Sequence, residues 1–422
     1  MKLSMKQLMN NNPIILLSAL IILTLSACNI TGNNKKPRPF GIISIRINPL
    51  EAIKDQINLS QFADKIEYIP LQTTDSSVIG SFPDLKVAGD LIFVREQNGI
   101  LVFTEEGQFI RRLFTVGNGP EESIAKSFAL DEERRMVYAF DNHTREGNIY
   151  DFEGKFLGDF NKQLCDPDAW ISDIGLFRSN IFVSIPIRPG TEYLFSCYDL
   201  WNDSIIVLRD NPYGFTAAQA DMVPQIVPSN NGFQITDTHI FFKDMYSDTI
   251  FKTDKNFKTE PYCVVDLGNE KLRWEDFRDN GMFDFTAGPP RGYWVESFID
   301  TKSYLILYIQ SFTEPELLCI YDKKSGGQIV ASNREYKTSS QQVLMGNDLD
   351  HLTSFPPMSK TGQFYYYNGC LYSITEAKDF VDVYTNAPEE AKKSTDYLRS
   401  MEQVFAGIDE LDNPLIMKVH LK

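Results

Sequence analysis

The sequence predicts an all-β protein: a six-bladed β-propeller of four-stranded antiparallel blades, with one C-terminal amphipathic helix inserted in the last blade. Three observations carry that prediction. A strand-and-turn segment led by an aromatic recurs six times, at Phe103, Tyr150, Tyr198, Phe251, Tyr321 and Tyr372, with successive spacings of 47, 48, 53, 70 and 51 residues. A second apolar run precedes each copy, among them "DLIFVRE", "RMVYAFD", "NIFVSIP" and "YLILYIQ". These runs are too short for helices and rich in β-branched and aromatic residues, so they read as strands. Finally, they are apolar on both faces, so both faces must be covered, which an isolated hairpin cannot achieve. Radial stacking of four-stranded units of roughly 50 residues satisfies all three.

Taken in order, residues 1–27 read as a signal peptide. Lys2 and Lys6 form a basic start, and Pro13 to Leu25 form an apolar stretch of 13 residues. That is short of the roughly 20 helical residues a bilayer requires. The stretch ends in "LSAC", which resembles the lipobox of bacterial lipoproteins and by that resemblance makes Cys28 the lipidated residue. Residues 28–40, polar and rich in Asn, Lys and Pro, read as a flexible tether. The propeller then occupies 41–422, with blades at about 78–116, 123–160, 170–208, 232–267, 294–332 and 354–422. The strand 66–71 is expected to join the last blade and close the ring. The inserted helix is expected over 387–409, where Tyr397, Leu398, Met401, Val404, Phe405 and Ile408 fall on one face.

Composition excludes some functions. A formal charge of −16 argues against nucleic acid, whose phosphates need clustered Lys and Arg. With Cys28 lipidated, Cys165, Cys197, Cys263, Cys319 and Cys370 form an odd, scattered set that reads as small core residues rather than a disulfide framework. There is no HExxH and no GxSxG, and the four His are far apart. "GNGPEE" lacks the Lys of a phosphate loop and reads as a turn between blades. No cofactor is expected.

Several segments together resemble the six-bladed β-propeller lipoproteins of Bacteroidetes, loosely related to NHL-repeat propellers. They are "KIEYIPLQTTDSSVIGS" from Lys65, "VGNGPEE" from Val116, "YDFEGKF" from Tyr150, "YSDTIFK" from Tyr246, "NDLD" from Asn347 and the terminal "NPLIMKVHLK". The resemblance spans most of residues 41–422. It implies the propeller fold and an envelope location, and no settled activity.

Strand order separates two faces. Turns between third and fourth strands are tight ("EEG", "FEG", "LWND", "KSGG"), whereas connections between blades are long. In an up-and-down blade the loops joining strands two and three open on the same side as the long connections, so one face is elaborated. Long loops on a rigid scaffold are where binding groups concentrate. The ligand-binding candidates on that face are His143, Arg145, Trp170, Arg188, Arg291, Tyr293, Trp294, Asp348 and His351. "PPRGYW" pairs a guanidinium, which forks carboxylates or phosphates, with aromatics that stack on sugars or apolar groups. Trp294 reads equally as the first core residue of a strand, and Trp170 more readily as core than as ligand contact. Asp348 and Asp350 are weak candidates for a calcium ion, since further ligands are wanting.

The expected function is a lipid-anchored binding or scaffold protein of the outer membrane, periplasm-facing, recognising an envelope protein, peptide or glycan through the long-loop face, as a monomer and without catalysis. The alternative is a propeller hydrolase or lyase acting on polysaccharide, or a calcium-dependent lactonase-like enzyme, which would gather carboxylates in the axial funnel.

Overall fold

Six antiparallel sheets of four strands succeed one another along the chain and close on themselves. The computed structural model describes residues 41–51, 57–80, 84–97, 99–117, 122–123, 125, 127–141, 147–160, 164, 171–188, 190–214, 232–275, 291–332, 345–352 and 364–422. Residues 43–422 make up one compact unit. Each blade is built as a meander. The first runs Asp84–Ala88, Leu91–Glu96, Gly99–Thr104 and Phe109–Thr115, and the next three begin at Ser127, Asp173 and Gly232. The fifth comprises Tyr293–Asp300, Tyr304–Ser311, Leu317–Asp322 and Gln328–Ser332. The first strand of each blade lies innermost, where neighbouring blades approach one another.

The core explains the doubly apolar strands. It is divided into six slabs, one in each gap between neighbouring blades. All of Asn180–Ser184 is buried, because Phe182 faces one slab while Ile181 and Val183 face the other. Aromatic rings interlock across the gaps, as between Phe93 and Phe152 at 4.8 Å and Phe195 and Phe242 at 4.6 Å.

The recurring Gly of the turn has a packing reason. Gly107 and Gly154 adopt φ of +85° and +88° in the third-to-fourth-strand turns of the first two blades. Each turn abuts the outer strand of the preceding blade. A Cβ on Gly107 would lie 2.1 Å from the Pro70 carbonyl oxygen, and one on Gly154 would lie 2.9 Å from that of Leu113. Only glycine meets both the backbone angle and the close approach.

The sixth blade departs from the sequence reading. Its strands are Phe364–Tyr367, Cys370–Thr375, Leu415–Leu421 and Ala63–Pro70, in that order outward. Tyr372 therefore sits in the second strand, not the third as in the other five blades, and Leu415–Leu421 is the third strand rather than the last. The N-terminal strand pairs with it antiparallel, from Leu415↔Pro70 to Leu421↔Ala63. Asn413, only 4% exposed, fastens this junction. Its side chain accepts from the Ile79 amide at 2.8 Å and donates to the carbonyls of Gln72 and Ser77 at 2.9 and 2.7 Å.

The inserted segment is three helices rather than one over 387–409: α1 (Ala377–Asn386), α2 (Glu389–Lys392) and α3 (Asp396–Phe405). Pro388 breaks the run by holding Ala387 extended, at ψ 143°. Thr395 then restarts it, its side chain accepting from the Leu398 amide at 3.1 Å. Phe380 and Phe405 pack against Tyr68 of the outer strand.

A further element is absent from the sequence reading. Ile43–Arg46 adds to the fourth blade as a fifth strand, parallel to Thr259–Asp266. Its alternation buries Ile45 and leaves Ser44 and Arg46 outward. Beyond it, Ile57–Asn58 pairs with Met345–Gly346 before the chain enters the sixth blade.

Candidate functional site

The polar mouth of the axial channel, on the long-loop side, is the most concentrated set of chemistry among the described residues. Asp84, Ser127 and Asp173 are the opening residues of the innermost strands in the first three blades. Arg95 lies directly opposite Asp84 on the neighbouring strand, its Nε 3.8 Å from Asp84 Oδ2. Lys86, two residues further and hence on the same side of its strand, donates to the Phe128 carbonyl at 2.5 Å and stands 4.7 Å above the Phe128 ring. Ser184 lies opposite Asp173.

Asp173 is partly open to the channel, yet the surrounding wall pushes its carboxyl above the ordinary carboxylate value. Burial is the main cause and the Asp84 charge acts the same way, against Lys86, Arg95 and the Ile174 amide, which donates to it at 2.7 Å. The hydroxyls of Ser127 and Ser184 and the Nε of Arg95 are buried without a hydrogen-bond partner in the described protein. A polar group entering the mouth would find donors of both charged and neutral kinds, beside carboxylates. Among the described residues no group of three or more His, Cys, Asp or Glu is placed to hold a metal.

Around the mouth runs a buried polar collar at the ends of the second strands: Glu96, Asp141, Ser184, Lys243 with Asp244, and Gln310 with Ser311. Glu96 holds Arg112 at 2.5 Å. Lys243, 2% exposed, donates to the carbonyls of Asp244 at 2.6 Å and Met245 at 3.3 Å, and burial pulls its pKa down to about 8. Asp244 accepts from the Ser247 amide at 2.9 Å, from Arg209 and from the Tyr213 hydroxyl. Ser311 accepts from the amides of Thr313 and Glu314 at 3.3 Å. The collar's side chains anchor the loop roots and are largely committed to that work.

The sequence-predicted candidates that fall within the described residues do not form one site. His143, Arg145, Trp170 and Cys28 lie outside the described residues. Arg188 is half-buried in the third blade's second-to-third-strand loop, where burial pulls its guanidinium below the ordinary value. Arg291 is exposed, but Tyr293 and Trp294 are 3% and 5% exposed and face opposite slabs of core. This corrects the reading of "RGYW" as one binding patch: adjacent strand residues point to opposite faces. Trp294 donates to Glu296 at 2.6 Å and packs 4.7 Å from Phe312. It borders a pocket with Asp248 and Lys271 that has room for about one water.

Asp348, Asp350 and His351 share one turn, where the two carboxylates serve different ends. Asp348 accepts from the Ser60 hydroxyl at 2.5 Å and amide at 2.9 Å; burial would raise its pKa, but these bonds hold it below the ordinary value. Asp350, 1% exposed, bonds Tyr68, Asn347 and the Leu352 amide, and burial pushes its carboxyl up. Both act as clasps on the N-terminal segment. His351 is exposed, with φ of 63°.

One constellation resembles a nucleophile relay. Glu67 Oε2 lies 2.7 Å from His420 Nε2, and His420 Nδ1 lies 3.5 Å from Cys370 Sγ. Burial pushes the Cys370 thiol up, opposite to the activation a nucleophile needs, and the pairs are those expected of neighbours across three adjacent strands.

Sequence reasoning missed Asp84, Arg95 and Asp173. The only signal for the two Asp was position, each opening an innermost strand, in "DLKVA" and "DIGLF"; Arg95, on the second strand, had none until its register opposite Asp84 was seen.

No curated protein matches the chain. Among solved structures, a Bacteroides fragilis protein described as exported is similar over 90% of this chain and 99% of its own, at 14% identity and a TM-score of 0.63. A member of the DUF4221 family from Bacteroides vulgatus is similar over 85% of this chain and 97% of its own, at 11% identity and a TM-score of 0.49. Identities this low speak to fold alone. No helix among the described residues is long and apolar enough to cross a membrane. With its blades spanning the matched region, residues 44–420, the chain belongs to the family described as domain of unknown function DUF4934.

Proposed function

We propose that this is a lipid-anchored envelope protein that binds a peptide or glycan at the long-loop mouth of its channel, without catalysis. The observation that carries the reading is the mixed set at the mouth: Asp84 and Asp173 beside Arg95 and Lys86, with two buried serine hydroxyls that find no partner among the described residues. Such a set matches a ligand bearing both donors and acceptors, and its charges are balanced rather than purely acidic. Attachment through Cys28 and a place outside the cytoplasm rest on the lipobox-like "LSAC" and on the description of the similar Bacteroides fragilis protein as exported, and the periplasm-facing side on the lack of acidic residues between Cys28 and Glu51.

A second reading rests on one feature. Asp173, its carboxyl pushed up mainly by burial at the channel mouth, has the character of a general acid, as a polysaccharide hydrolase or lyase would use.

The test is thermal unfolding of the wild type and of Asp173→Asn with envelope-derived glycan fragments and short peptides, each mixture analysed afterwards by chromatography. A compound that raises the wild-type midpoint, leaves the variant unmoved and is recovered intact supports binding. Consumption of that compound by the wild type alone favours the enzyme. If no compound moves the wild type, the mouth is not the site. Release of Cys28→Ser from the membrane fraction tests the anchor separately.

A further inference from the structure

The outer strand of each blade presents an unpaired edge, a template for further strands that proteins ordinarily guard. The six edges here are managed to different degrees. In the first blade Arg111 and Arg112 lie along the strand, Arg111 donating to the Phe152 carbonyl and Arg112 to Glu96. The second blade's outer strand, Phe156–Phe160, is five residues long and bulged where it meets its neighbour. Ile43–Arg46 covers the fourth. The N-terminal segment continues along the fifth, where Gln328 donates to the Arg46 carbonyl at 2.7 Å. At the sixth, Tyr397 uses its hydroxyl to satisfy both the amide and the carbonyl of Tyr68, at 2.8 and 2.6 Å.

The third edge, Ser204–Asp210, is bulged against its neighbour like the second, but no other segment covers it among the described residues. It closes its sheet, and Ile205 and Val207 are 36% and 45% exposed on one side of it. Trp201, in the preceding turn, is 80% exposed. Arg209, the strand's single cation, is turned away onto Asp244 and the Phe251 ring. The ends are acidic: Asp199 and Asp203 at the turn, which accept from Asn202 and from the Tyr198 hydroxyl, and Asp210 beyond.

We propose that this edge docks an extended, basic-ended segment of a partner protein as a fifth strand. The chain's own Ile43–Arg46 shows the mode on the adjacent blade: an alternating apolar strand laid on an outer edge, with Arg46 outward. Main-chain pairing supplies the register, Ile205 and Val207 take the apolar side chains, and Trp201 covers one end. Acidic flanks on a chain of formal charge −16 select a cationic segment and disfavour a second copy of the same edge.

The probe is a fluorescein-labelled heptapeptide of alternating valine and threonine with a lysine at each end, titrated by anisotropy against the intact protein. Binding is expected, weakened by salt, and weakened at least about tenfold by Trp201→Ala or Val207→Lys, both surface changes, but not by Leu411→Lys. A glutamate-ended version of the peptide is expected not to bind. Equal binding by Val207→Lys, equal binding of the glutamate-ended peptide, or no binding to the wild type overturns the proposal. So does ultracentrifugation showing a dimer that Val207→Lys dissolves, since a second copy would then be the occupant.

Discussion

Replacing Gly107 with Ala should loosen the ring at its clasp. The position adopts φ of +85°, and a new Cβ would sit 2.1 Å from the Pro70 carbonyl oxygen, which belongs to the closing strand. The left-handed backbone costs about 1–2 kcal/mol for an alanine. Relieving the contact requires the turn to move away from Pro70. That movement breaks the bonds from the Gln72 amide to the Gly107 carbonyl, 2.8 Å, and from the Phe109 amide to the Gln72 side chain, 2.9 Å. At about 1 kcal/mol each, their loss brings the cost to about 3–4 kcal/mol, a large share of ordinary domain stability. Gly154→Ala meets a backbone carbonyl at 2.9 Å, still too close but by less, and should cost the backbone term plus a smaller contact term, less than Gly107→Ala. Gly214→Ala, with open space around it, is the control and should stay within about 0.5 kcal/mol. Urea denaturation ranks the three. Hydrogen exchange adds location, since Gly107→Ala should expose the amides of Ala63–Pro70 ahead of those in the third and fourth blades. If Gly107→Ala is as stable as Gly214→Ala, the close approach does not constrain the turn and the argument fails.

Other perturbations test separate parts of the structure. Lys243 has a folded pKa of about 8, below its ordinary 10.5, so between those values the unfolded chain holds more protons and stability should rise with pH from about 8. Lys243→Met should abolish that rise in a pH series of denaturation midpoints; the same slope in the variant would assign it elsewhere. From about pH 9 the opposite sign sets in, because burial raises the thiols of Cys197, Cys263 and Cys319 and, further up, Tyr213, Tyr262 and Tyr308, so the unfolded chain loses those protons first. Glu96→Gln removes the partner of a largely enclosed Arg112 and should cost about 3 kcal/mol by urea titration, with a loss under 1 showing the pair to be dispensable. Thr395→Ala removes the cap of α3 and should cost about 1 kcal/mol, with faster exchange confined to the start of that helix.

The propeller was legible because its strands are apolar on both faces, a pattern that few architectures accommodate. Aromatic spacing alone was a weaker guide. Tyr372 continued the series by eye, yet it lies one strand further in, since the third and fourth strands of its blade come from Leu415–Leu421 and from the N-terminus. Pairings such as Ile416↔Ile69 join residues almost a chain length apart and leave no local trace. Ile43–Arg46 was equally hidden, because four alternating residues fit any open edge. The grouping of Arg291 with Tyr293 and Trp294 failed for another reason. Tyr293 and Trp294 are the residue types that serve both cores and ligands, and the sequence alone does not say which face a strand turns where. Asp84 and Asp173 were two among 57 acidic residues until the ring brought them within electrostatic reach of one another.

The closing strand also imposes an order of events on folding. During synthesis Ala63–Pro70 appear early but have no place until Leu415–Leu421 is delivered at the other end. The five middle blades can assemble from local hairpins as they emerge, but the circle cannot lock before the last residues arrive. Joining ends so distant is the slow, entropically costly step. A chain cut short by even its final strand would thus be left as an open horseshoe with two raw sheet edges, the form most exposed to proteolysis and clumping, so completion of the ring distinguishes finished copies from unfinished ones.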